Sequence, residues 1–130
     1  NDRAAALRAF ARAAKLDPTC AYAHTLAGHE YAVSDRLDEA EKAYLSAIAI
    51  DARHYNALYG LGHVYLRTQQ YESCVEYFQM AIGVHQSSAT LRYHVGCAML
   101  AANDAAGALR EFDVCLQLEP SNAVAKFERA

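Results

Sequence analysis

No stretch of the 130-residue chain alternates apolar and polar residues for more than a few positions, so strands are not expected. Prolines number 2, Pro18 and Pro120, and neither falls inside a helical pattern. Positive charge is not in excess. The 12 Lys and Arg stand against 15 Asp and Glu, a formal net charge of −3, which removes the electrostatic basis for binding nucleic acid. No apolar run approaches the roughly 18 residues that a membrane-spanning helix needs. Charged residues begin at Asp2, so neither a membrane partner nor a leader segment is expected. The 4 cysteines, Cys20, Cys74, Cys97 and Cys115, form no CxxC pair and match no common zinc spacing. Reduced thiols in a cytosolic or nuclear setting are expected. Alanine, leucine and glutamate are plentiful, and together these features predict an all-α chain, long enough for one domain with a core.

Two glycines, Gly60 and Gly62, interrupt the apolar stretch YNALYGLGHVYL at 55–66, although glycine costs a helix interior about 1 kcal/mol relative to alanine. Laying the chain against itself accounts for Gly62. Gly28, Gly62 and Gly96 are 34 residues apart. Each is followed at +3 by Tyr31, Tyr65 or Met99, at +12 by Ala40, Cys74 or Ala108, and at +16 by Tyr44, Phe78 or Phe112. Ala6 and Phe10 fit the same register, and Pro18 and Pro120 are 102 residues apart, three such periods.

This pattern resembles the tetratricopeptide repeat (TPR). Its best local match is Leu58-x-x-Leu61-Gly62-x-x-Tyr65, and the resemblance covers the whole chain. It implies an all-α solenoid of antiparallel helix pairs winding into a right-handed superhelix. The expected organisation is a single array: 1–20 the second helix of a partial repeat, 21–54, 55–88 and 89–122 full repeats, and 123–130 the start of another. First helices are expected at 21–33, 55–67 and 89–101, and second helices at 2–15, 37–50, 71–84 and 105–118. Short polar connections, Ser34-Asp35-Arg36, Thr68-Gln69-Gln70 and Asn103-Asp104, separate them. Gly28, Gly62 and Gly96 mark where the two helices of a repeat cross closely, because interaxial distance follows the size of the contact residues. Gly60 is expected to be a shallow spot on the groove side, since Leu26 and His94 hold that place in the other repeats. A chain that begins and ends inside repeats is expected to be a piece of a longer array, with apolar ends able to self-associate.

In TPR arrays the first helices line a concave groove. The corresponding positions are Tyr22, Thr25 and His29, then Asn56, Tyr59 and His63, then Thr90, Tyr93 and Cys97. Tyrosines with polar residues between them suit an extended peptide: the rings bury apolar side chains and the polar tips bond its backbone. The lysine, arginine and asparagine clamp with which chaperone-binding TPR domains hold an acidic C-terminus is absent. Thr25, His29, Gly60, Thr90 and His94 stand in its place. No cofactor, metal or catalytic residue is expected. His29, His63 and Cys97 recur one repeat apart, on the order of 8–10 Å per step, too far to close on one zinc. Gly60-Leu61-Gly62 lies mid-helix after no strand, unlike a dinucleotide loop.

The stretches TLAGHEYAV, RHYNALYGLGHVY and NAVAKFERA resemble the TPR subunits of the anaphase-promoting complex, with Leu58 where those usually carry tryptophan, and with Arg92 and Met99 at large-apolar positions. The resemblance implies a non-catalytic scaffold of a ubiquitin ligase, acting in nucleus and cytoplasm, whose groove receives the C-terminal Ile-Arg tail of an activator or partner subunit. Asn56 and Thr90 would then bond the tail's backbone or carboxylate, and Glu30 its arginine. The alternative is a TPR adaptor of another pathway that binds a different peptide. Glu30 stands where the other repeats carry Val64 and Ala98. Three readings stay open for it: leaning into solvent, tied to a residue within 53–63, or edging the groove to await a cation. The second and third together predict a mostly buried carboxylate.

Overall fold

A computed structural model describes residues 2–85 and 89–118. Seven α-helices and no strands occur among them: α1 Asp2–Leu16, α2 Ala21–Val33, α3 Leu37–Ile50, α4 Tyr55–Arg67, α5 Tyr71–Val84, α6 Ala89–Ala101 and α7 Ala105–Leu118. These bounds match the expected helices, except that α1 runs one residue past the expected 2–15. The expected repeat start at 123–130, the stretch NAVAKFERA and Pro120 lie outside the described residues. The chain divides into two compact units, Asn1–Val64 and Tyr65–Ala130.

The second helices of the repeats bury one narrow stripe. It is Ala40, Tyr44 and Ala47 in α3, Cys74, Phe78 and Ala81 in α5, and Ala108, Phe112 and Cys115 in α7. The spacing i, i+4, i+7 is that of a helix with one apolar side. The first helices α2 and α6 differ because each is packed on two sides. In the first unit α2 lies against both α1 and α3, and in the second α6 lies against both α5 and α7. Their buried positions therefore spread around the helix, as Leu91, Val95, Gly96 and Ala98 do in α6.

Each first helix ends in the same way. Asp35, Gln69 and Asn103, again 34 residues apart, have φ of 63°, 62° and 66°. The next amide reaches back five residues, Arg36 N to Tyr31 O, Gln70 N to Tyr65 O and Asp104 N to Met99 O, each at 2.8 Å. The left-handed residue's own amide bonds the carbonyl three residues back, at 3.0 to 3.2 Å. Together these are the paired bonds of a Schellman motif, which satisfy the orphan carbonyls of a helix end and reverse the chain within a few residues.

The glycines are where rings press on helices. A Cβ on Gly28 would sit 2.6 Å from the Tyr44 ring, and one on Gly96 would sit 2.6 Å from the Phe112 ring. Gly60 corrects the expectation of a shallow groove spot: it is buried, and a Cβ there would meet the same Tyr44 ring at 2.5 Å. Tyr44 is thus clasped between Gly28 of α2 and Gly60 of α4. In the second unit His94, in the register place of Gly60, packs against Phe78 with ring centroids 6.0 Å apart. Arg92, which departs from the apolar pattern, reaches Glu111 of α7 at 3.3 Å, and both side chains are mostly buried.

Candidate functional site

Helix α4 carries a ladder of rings. Tyr55, Tyr59 and His63 are four residues apart, so they share one side of the helix. Tyr55 and Tyr59 stack at 5.8 Å between centroids with 28° between planes. His63 meets Tyr59 edge-on at 4.6 Å. All three are half-buried, and Asn56 beside them is exposed. Burial, and then the neighbouring Tyr55, push the Tyr59 phenol above its ordinary pKa, so it stays a neutral hydrogen-bonding group at physiological pH.

Helix α2 supplies a polar cluster in the same unit. His29 Nδ1 and the Tyr44 hydroxyl are hydrogen-bonded at 2.6 Å, with donor and acceptor set by the imidazole tautomer. The rings meet edge-on at 5.4 Å. Burial lowers the His29 pKa, Glu30 opposes that shift, and His54 adds to it. The same burial pushes Tyr44 up to about 12. The pair is therefore neutral, and its bond fixes the His29 ring at the edge of the cluster. Glu30 is partly buried, and its charge is close enough to reach His29. His54 immediately precedes α4, with Nδ1 3.9 Å from the Asp51 carboxylate and with Nε2 buried and unbonded.

In the second unit, α6 presents exposed Thr90 with half-buried Tyr93 and Cys97. Tyr93 lies between Phe112, at 6.0 Å, and His94, at 5.6 Å. Burial lowers the His94 pKa.

The structure thus groups Tyr59 with His63 and His29 with Glu30, while Tyr93 packs with His94 and Phe112. Tyr22 stands out at 60% exposed. Thr25 requires correction as a groove residue. It is 1% exposed, and its hydroxyl donates to Ala21 O at 2.9 Å, so it has nothing to offer a ligand. A helix lets threonine bury its hydroxyl on the carbonyl four residues back. Two residues were missed. Tyr55 continues the ladder at i−4 from Tyr59, and that spacing was legible. Tyr44 is a tyrosine where the other repeats have Phe78 and Phe112, and an added buried hydroxyl calls for a partner. Among the described residues no three His, Cys, Asp or Glu side chains are placed to hold a metal. Cys74 is fully buried with its thiol pushed up to about 12, which makes it packing material rather than a nucleophile.

The sequence profile described as tetratricopeptide repeat matches residues 25–88. The chain is built of tetratricopeptide repeats. It is 34% identical over 125 residues to anaphase-promoting complex subunit 3 of Schizosaccharomyces pombe, which covers 96% of this chain and 19% of that protein. It is 36% identical over 129 residues to cell division cycle protein 27 homolog B of Arabidopsis thaliana, covering 99% of this chain and 17% of that one. The chain therefore spans less than a fifth of these relatives' own length. Among solved structures, that of YrrB, described as a TPR protein with an unusual peptide-binding site, has a TM-score of 0.88 at 24% identity, covering 99% of this chain and 66% of that one. At that identity the likeness speaks for the fold. Among the described residues no helix is long and apolar enough to cross a membrane.

Proposed function

We propose that this TPR chain is an interaction scaffold of an anaphase-promoting ubiquitin ligase, and that its first-helix faces take an extended peptide or the C-terminal Ile-Arg tail of an activator or partner subunit. The observation that carries the reading is the ladder of Tyr55, Tyr59 and His63, beside the His29 and Glu30 cluster. It offers half-open aromatic area with polar tips, held rigid by ring stacking, and so binds at low entropic cost. Exposed Asn56 and Thr90 supply amide and hydroxyl groups for a peptide backbone or terminal carboxylate. Glu30 supplies the negative charge for an arginine. Relatedness to proteins named for the anaphase-promoting complex and cell division cycle supports the ligase assignment, and the description of YrrB supports peptide binding by this fold.

The test is titration with a peptide ending in Ile-Arg against its C-terminally amidated form. The free-acid form binds more tightly. Tyr59→Ala weakens it by ~1–2 kcal/mol, as expected for losing an aromatic anchor, while the thermal unfolding midpoint stays near wild type. Glu30→Gln weakens the arginine-ended peptide more than one that lacks cations. Loss of binding and of stability in equal measure would place Tyr59 in the core and end the proposal.

A further inference from the structure

Helix α1 carries a charge pattern that the groove does not use. Of the 12 Lys and Arg, Arg3, Arg8, Arg12 and Lys15 fall in the first 15 residues, against one acid, Asp2, in a chain whose net charge is −3. Arg8, Arg12 and Lys15 follow i, i+4, i+7 and so share one side of the helix. All three are exposed, and with Ala11 they line an open hollow of about 380 Å³. A second hollow of about 310 Å³ shares Ala11 and crosses onto α2 and α3. Ala14, Ala27 and Ala43 line it beside the rings of His24 and Tyr31, with exposed Lys42 on α3. The acid there, Glu39, is already engaged by Arg36, whose Nε donates to its carboxylate at 2.8 Å.

The repeat register shows that this side faces outward in every second helix. The counterparts of Arg8 are Lys42, Glu76 and Arg110, all exposed. Those of Arg12 are exposed Ser46 and Met80 and half-buried Val114, and those of Lys15 are exposed Ala49, Gly83 and Gln117. Openness therefore belongs to the position in the repeat. Only α1 makes all three positions cationic.

We propose that the outer face of α1, Arg8, Arg12 and Lys15, with Lys42 across the alanine-lined hollow, docks an extended acidic segment of a partner protein. Four residues of helix rise about 6 Å, and two residues of extended chain about 6.6 Å. Acids at alternate positions of the segment therefore meet Arg8 and Arg12 in turn. Guanidinium groups hold carboxylates through two parallel bonds, and the alanines let the backbone come close. This surface is separate from the ring ladder and does not depend on it.

The test uses a labelled peptide with glutamate at alternate positions, its glutamine counterpart, and vesicles of anionic phospholipid. The glutamate peptide binds, the glutamine peptide does not, and raising the salt weakens the complex. Arg8→Gln/Arg12→Gln lowers affinity about tenfold, the scale of two partly exposed charge-assisted bonds, while Arg8→Lys/Arg12→Lys keeps most of it. Neither variant changes the helical signal or the affinity for the Ile-Arg peptide, which separates this surface from the groove. Equal binding of the two peptides, equal affinity of wild type and the glutamine variant, or binding of vesicles without binding of the glutamate peptide overturns the proposal.

Discussion

Gly60 and Gly83 both lie inside helices, yet their missing side chains mean opposite things. Around Gly83 a Cβ would find nothing within 4 Å. Around Gly60 it would strike the Tyr44 ring at 2.5 Å, and that ring cannot swing aside because Gly28 lies under it and His29 holds its hydroxyl. Alanine gains about 1 kcal/mol of helix propensity over glycine in a helix interior, whereas overpacking a core costs typically about 1–3 kcal/mol. Gly83→Ala thus stabilises, by ~0.5 kcal/mol this close to the end of α5. Gly60→Ala destabilises by ~1–2 kcal/mol after the propensity gain is deducted. Urea unfolding midpoints of the two variants should move in opposite directions. A gain at Gly60 would mean that the ring relaxes freely and that its clasp between two glycines is not a constraint.

The helices owe their ends to backbone chemistry that the residues only partly advertise. Asp and Asn tolerate the left-handed conformation at 35 and 103, but glutamine at 69 has no local hydrogen bond to offer in return. Gln69→Gly keeps both reversing bonds, relieves the strain and should raise stability by ~0.5–1 kcal/mol. A cap operates at α7, where the Asp104 carboxylate accepts from Gly107 N at 2.9 Å. Cys20, Arg36 and Gln70, ahead of α2, α3 and α5, make no such bond. Asp104→Ala should therefore cost ~1 kcal/mol, measured by thermal unfolding, whereas Gln70→Ala should cost close to nothing. At this scale the sequence was highly legible, because a period of 34 repeats each helix bound in register and every repeat checks the others. It was less legible where a residue's role depends on its neighbour. At Gly60 the register partners Leu26 and His94 do not reveal that the Tyr44 ring faces that place. At Thr25 polarity suggests exposure, while a helix offers threonine an internal acceptor.

Each of the two units holds a half-buried imidazole, His29 in one and His94 in the other, and burial lowers the pKa of both from 6.5. A base whose folded pKa is depressed favours the folded state fully while it is neutral in both states, above about 6.5. Below that the unfolded chain takes up the proton first, and stability falls until the folded pKa is passed. Most carboxylates titrate lower, near 4, so between about pH 7.5 and about pH 5.5 the histidines set the slope. The urea midpoint of the chain should drop across that interval. His29→Gln/His94→Gln should flatten the drop, whatever it does to the midpoint at the upper pH. Protonation of His29 also puts a positive charge beside Glu30 and ends any acceptance by Nδ1 of the Tyr44 proton, so acid should weaken an arginine-ended peptide in the groove before it unfolds the helices. Parallel pH slopes for wild type and the double variant would place the acid response elsewhere, and a peptide affinity that stays unchanged until the helices begin to unfold would remove the His29 and Glu30 cluster from the binding face.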